Sequence, residues 1–238
     1  MAEWATFVGL TGVVTVLLLA LARMSQTMVE GSDEPSEPED HEMTAGLLLA
    51  NVALSQGLFA GVLLAAAWYT QVPLAALGIG ADVTDLGAVG IGVGLGAVLY
   101  LTSETGGVAA QRLGFEYDER LRGLLAPDSA GEWAVLLGLV LPIIAFFEEF
   151  LFRAALIGAV SAGYGVSPWL LAVASSALFA LGHGAQGRTG IVVTGALGLV
   201  LAGAFVLTGS LLAVIVAHYV VNALEFVVHE GLGVDWAG

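Results

Sequence analysis

The chain has 238 residues, 58% of them apolar and 11% charged, whereas an ordinary soluble domain is about 25% charged; together with a mean hydropathy of +0.93 this places it in the membrane class. Six arginines and no lysine stand against 21 Asp and Glu, for a formal net charge of -15, which argues against nucleic acid and anionic lipid surfaces as partners. With no cysteine in the chain, disulfides, thiolate nucleophiles and Cys-ligated metals are excluded.

A transmembrane helix needs about 20 mostly apolar residues, and the chain offers candidate spans at 4–22, 44–69, 87–102, 132–162, 168–183, 190–207 and 210–229. The first ends in Ala20, Leu21 and Ala22, which resembles a signal-peptide cleavage site. Its n-region carries Glu3 and no positive charge, however, and its apolar run is long, so it reads as a retained helix. Residues 27–43 hold seven acids with Pro35 and Pro38 and read as a solvated, disordered loop. In the third span Gly90, Gly92, Gly94 and Gly96 lack the spacing of a nucleotide loop. Small residues four apart that let helices approach closely explain them better.

Residues 103–131 bring Glu116, Asp118, Glu119, Arg120 and Arg122 close together and read as a surface connection or interfacial helix. The fourth span is long and contains Pro142, which removes a helix hydrogen bond; an amphipathic lead-in followed by a membrane helix is the alternative. The expectation is an all-α, polytopic transmembrane bundle of about seven to eight spans. Its parts are an N-terminal helix (1–26), the acidic loop (27–43), helices with a polar connection (44–131) and a helical core carrying the candidate catalytic residues (132–238).

Arginine-bearing loops lie in the cytoplasm under the positive-inside rule. With seven spans, Arg23, Arg112, Arg120, Arg122 and Arg188 all fall on one side, which predicts an outside N-terminus in a multi-pass cell-membrane protein. The acidic, lysine-free composition suggests a salt-loving archaeon, since carboxylates hold hydration at high salt. Arg153 is the exception, an arginine inside an apolar stretch, where a charge is expensive and functional by default.

Three polar clusters break the apolar C-terminal half. In the first, Glu149 and Arg153 are four apart and can pair on one helix face, which leaves Glu148, rotated by about 100 degrees, free for chemistry. The second is Phe179 with His183, and the third is His218 with Asn222, again four apart. Glu148 to His183 and His183 to His218 are each 35 residues, so the chain returns to a similar depth each time. A bilayer scaffold gains nothing from burying such groups, each costing about 2.5–3.5 kcal/mol on insertion scales. No H-E-x-x-H motif occurs.

Glu-Glu-x-x-x-Arg, Phe-x-x-x-His and His-x-x-x-Asn, in this order on successive helices, resemble the three motifs of the CPBP family of CAAX proteases and bacteriocin-processing enzymes, over about residues 130–230. The resemblance implies an integral membrane endopeptidase acting on a peptide or protein substrate, lipidated in the CAAX case. It further implies that Glu148 activates a water, that His183 and His218 coordinate a divalent metal such as zinc or orient that water, and that Asn222 stabilises the oxyanion. The competing class is a transporter, proton relay or binding scaffold of the same fold, because Glu and His chains also serve proton transfer in membranes. One further pattern concerns access: His218, Asn222, Glu225 and His229 fall on one helix face and would line the cytoplasmic entrance to the site. The sequence does not set an oligomeric state.

Overall fold

A computed structural model describes residues 2–31, 45–80, 85–112, 120–234 and 236. Among them the chain is helical, with no strand: α1 (Trp4–Gly31), α2 (Ala45–Tyr69), α3 (Leu86–Arg112), the short α4 (Arg120–Leu125), α5 (Ala130–Tyr164), α6 (Pro168–Gly182), α7 (Gly187–Thr208) and α8 (Leu211–Gly231). The all-α membrane bundle is therefore what the chain forms. Six of these helices are long and apolar enough to cross a bilayer.

Among the described residues six of the seven expected spans reach full length and one is short. The segment expected at 168–183 forms α6, whose 15 residues reach only about 22 Å at 1.5 Å per residue, short of a hydrocarbon core of about 30 Å. Its end is set by the non-helical backbone of His183, after which the chain turns at Gly184–Gln186. The long α1 also runs on to Gly31, into the segment read as an acidic loop; residues 32–43 lie outside the described residues. Likewise α3 continues to Arg112 into the segment read as a connection, while 113–119, with Glu116, Asp118 and Glu119, lies outside them.

Packing nevertheless gives the strict alternation expected of seven passes. Gly46 lies against Glu132 and Phe59 stacks on Phe147, so α2 runs parallel to α5. Gly92 meets Val216 and Gly96 meets Val220, so α3 runs parallel to α8. Trp4 packs on Gly163 and Leu19 beside Gly182, which sets α1 along α6. Turn chemistry joins the passes: Gly165 and Gly209 take left-handed conformations that end α5 and α7. Pro168 then starts α6, and the Ser210 hydroxyl caps α8 by accepting from Ala213 N–H at 3.2 Å.

Pro142 does not interrupt α5. The five residues before α-helical Leu141, Leu136–Val140, form a π-helical turn, and this wider winding accommodates a ring that has no N–H to give. A second π-helical stretch, Phe150–Ala159, begins directly after Glu149. Widened turns leave carbonyls for neighbours to satisfy. Tyr219 on α8 donates to Leu137 O at 3.1 Å, and Ser175 on α6 donates to Phe152 O at 2.5 Å.

The glycine run in α3 works as the small-residue reading expects, but only on one face. A Cβ at Gly92 would fall 2.6 Å from Ala213 O, and one at Gly96 2.7 Å from Ala217 O, whereas Gly90 and Gly94 face open space. Because α8 carries His218 and Asn222, this contact sets the position of half the site. Gly96→Val should push α8 outward and lower stability by roughly 1–3 kcal/mol, the usual range for overpacking. Gly94→Ala should leave thermal unfolding in detergent unchanged; equal effects of the two would contradict the packing.

Candidate active site

The polar clusters meet where α5, α6, α7 and α8 converge. Glu149 is fully buried, and its two carboxylate oxygens serve two different helices. Oε2 faces Arg153 Nε at 3.1 Å, one turn along α5, and Oε1 accepts from His218 Nδ1 at 2.7 Å. A carboxylate only accepts, so the proton in the latter bond is on Nδ1. Nε2 of the same ring is thereby turned towards Glu148, 3.7 Å from its Oε2.

Arg153, 1% exposed, is held on three sides. Its Nη2 donates to Gly198 O at 3.0 Å, and the guanidinium lies 4.7 Å from the centre of the Phe179 ring, a cation–π contact. Gly198 is needed for this: a Cβ there would come within 2.9 Å of Phe179 Cδ1. Phe179 in turn sits edge-on to His218 and 4.5 Å, centre to centre, from His183. His183 is the residue that ends α6, where carbonyls lack helical partners, and its Nδ1 donates to Phe179 O at 2.8 Å. Both histidines thus have Nδ1 engaged.

A cavity of about 640 Å³ opens on this centre, lined by Glu148, His183, His218 and Asn222 among others. Two neighbouring carboxylates lie near one buried cation, and its ion pair is with Glu149. Glu148 Oε2 has no hydrogen-bond partner among the described residues; neither have Glu149 Oε2 and Arg153 Nε, which face each other as an ion pair. Glu149 and Arg153 pair across one turn, as their spacing suggests, while Glu148 lies by His218 Nε2. The Glu149–His218 bond was beyond reach of spacing arguments, because it joins residues 69 apart. Gly198, Ser175 and Tyr219 were also missed as supports; a glycine and a serine inside apolar helices were the available signals.

The access stripe holds only in part. His218, Asn222 and Glu225 line the cavity, joined at its rim by Arg122. Arg122 pairs with Glu230 at 2.7 Å and lies 3.5 Å from Glu225. His229 instead bonds Glu104 on α3 at 3.0 Å. The reason is the π-helical turn Phe226–Gly231, whose extra residue per turn rotates His229 off the face.

Catalytic zinc sites take three protein ligands. Among the described residues no three His, Asp or Glu side chains come together as a metal-holding group, so His183 and His218 alone do not make up such a site.

Residues 130–224 match the family model described as Type II CAAX prenyl endopeptidase Rce1-like. The match covers all three motifs and shows the likeness to CPBP and CAAX proteases that they carry. Among curated proteins and among solved structures nothing matches. The class defined is a multi-pass helical membrane protein with a CAAX-endopeptidase-like core in its second half.

Removing one partner of a buried ion pair leaves the other charge uncompensated, at about 3–5 kcal/mol. Arg153→Ala should therefore strip most folded protein from a detergent extract, while Glu148→Gln should give normal yield and an unchanged melting temperature. The opposite ranking would reverse the roles assigned to the two adjacent glutamates.

Proposed function

We propose that the protein is an intramembrane endopeptidase that hydrolyses a peptide bond in this cavity with a water activated by Glu148. The observation that carries the reading is the unpartnered Glu148 Oε2 beside a histidine whose orientation is fixed from behind. With its proton on Nδ1, a neutral His218 offers Nε2 as an acceptor. A water can then give one hydrogen to Glu148 and one to Nε2, leaving a lone pair for the scissile carbonyl.

As that oxygen adds to the carbonyl carbon, Glu148 takes the proton as general base. Negative charge gathers on the former carbonyl oxygen, and the Asn222 amide, which lines the same cavity, is the donor assigned to it. Collapse of the tetrahedral adduct breaks the C–N bond, and Glu148 returns its proton to the leaving amine. Glu149 and Arg153 act from behind, holding His218. The substrate class is a membrane-associated peptide of the prenylated CAAX kind, in line with the matched family, and the cavity takes it from the cytoplasmic end. A divalent metal on His183 and His218 is the alternative role of the two rings, with a third ligand drawn from elsewhere.

The test is cleavage of an S-farnesylated peptide ending in Cys-aliphatic-aliphatic-Met by purified protein, read by mass spectrometry. Glu148→Gln should lower kcat by at least about 100-fold, the lower range for a general base, and His218→Ala and Asn222→Ala should each lower it strongly. Activity of Glu148→Gln near that of the parent would overturn the reading in favour of a binding scaffold or relay. Elemental analysis of the parent and of the doubly substituted His183→Ala, His218→Ala protein discriminates the two roles of the histidines.

Sidedness follows from the arginines. Reporter fusions at residues 115 and 165 should lie on opposite sides, with 115 cytoplasmic. Equal sidedness would break the alternation of α3 through α6.

A further inference from the structure

The turn between α6 and α7 puts a carboxamide on the cavity wall, outside all three motifs. Gln186 lines the cavity alongside His183 and Thr194. Its backbone N–H donates to His183 O at 3.0 Å, closing the turn, so the two residues are held as one unit. Gly190 lies directly against it: a Cβ there would fall 2.3 Å from Gln186 Cβ, so the side chain can lie along the first turn of α7 only because that position is glycine.

The amide is oriented by Thr194. Helical threonines commonly return their hydroxyl hydrogen to a carbonyl one turn back, as Thr11, Thr15 and Thr102 do. The buried Thr194 instead donates to Gln186 Oε1 at 2.7 Å. With its oxygen held in this way, the amide's NH2 group is its free donor, and among the described residues nothing accepts from it. A neutral donor here is suited to a backbone carbonyl, the acceptor that every peptide carries whatever its side chains.

We propose that Gln186 is a substrate-binding residue that donates Nε2–H to a backbone carbonyl of the bound peptide, and that Thr194 is the positioning residue that aims it. The proposal rests on the endopeptidase reading and adds to it a contact that fixes the peptide along the α6–α7 wall.

The experiment measures binding of a fluorescent S-farnesylated peptide ending in Cys-aliphatic-aliphatic-Met to Glu148→Gln protein in detergent, with steady-state cleavage in the active parent alongside. Gln186→Ala should weaken binding about tenfold, as expected for loss of one hydrogen bond, and in the active protein should raise KM more than it lowers kcat. Gln186→Glu, similar in size but without a donor, should weaken binding at least as much. Thr194→Val should weaken binding several-fold, Thr194→Ser should restore it, and Thr194→Val should add nothing in the Gln186→Ala background. Parental affinity in Gln186→Ala, or equal losses from Thr194→Val in both backgrounds, would overturn the proposal. Peptide that binds in a Gln186-dependent way but is never cleaved supports this contact and overturns the endopeptidase reading. Cleavage with Gln186-independent affinity does the reverse, and no binding by the parent overturns both.

Discussion

Everything at the centre of the bundle depends on one buried carboxylate with two obligations. Glu149 has to neutralise Arg153 at 3.1 Å and hold His218 at 2.7 Å, and it can do both only because its two oxygens point to different helices. An unpaired guanidinium in this interior would be prohibitively costly, as would an unpaired carboxylate. Meeting those costs ties α5 to α8 through His218, to α7 through Gly198 O, and to α6 through the Phe179 ring. The site is therefore also the place where the helices are locked together.

That lock leaves Glu148 without a cation. Adjacent positions on a helix point in different directions, so the neighbour of a structural glutamate faces the cavity while Glu149 faces protein. The two π-helical stretches of α5 flank this pair, and each exposes a carbonyl that a hydroxyl of another helix satisfies, Tyr219 on one side and Ser175 on the other. Such widened turns are frequent at functional sites. Here they place the carboxylates in the middle of a continuous 35-residue helix instead of at a break.

Much of this is legible in the sequence, because bilayer physics leaves few options. Apolar runs give the helices, and ionisable residues inside them mark the site. The four-residue spacing of Glu149 and Arg153 gives their pairing. Spacing does not carry partners on other helices, so Gly198 as a carbonyl acceptor depends on how helices meet, and the Thr194–Gln186 bond depends on how the α6–α7 turn folds back along α7. The shortness of α6 was hidden by its apolar composition, which matches that of a full span until His183 turns the backbone out of the helix. The misplacement of His229 has a similar origin, since a regular period projected through Glu225 cannot anticipate a π-helical turn.

The most direct measurement of the central claim is the protonation of the His218 ring by nitrogen NMR on histidine-labelled protein, which is practical because the chain has only 4 histidines. If Glu149 aims His218, Nδ1 carries the proton in a strong hydrogen bond, and that signature is lost in Glu149→Gln while the Glu148→Gln protein keeps it. A ring with Nδ1 unprotonated, or one indifferent to Glu149→Gln, would contradict the account.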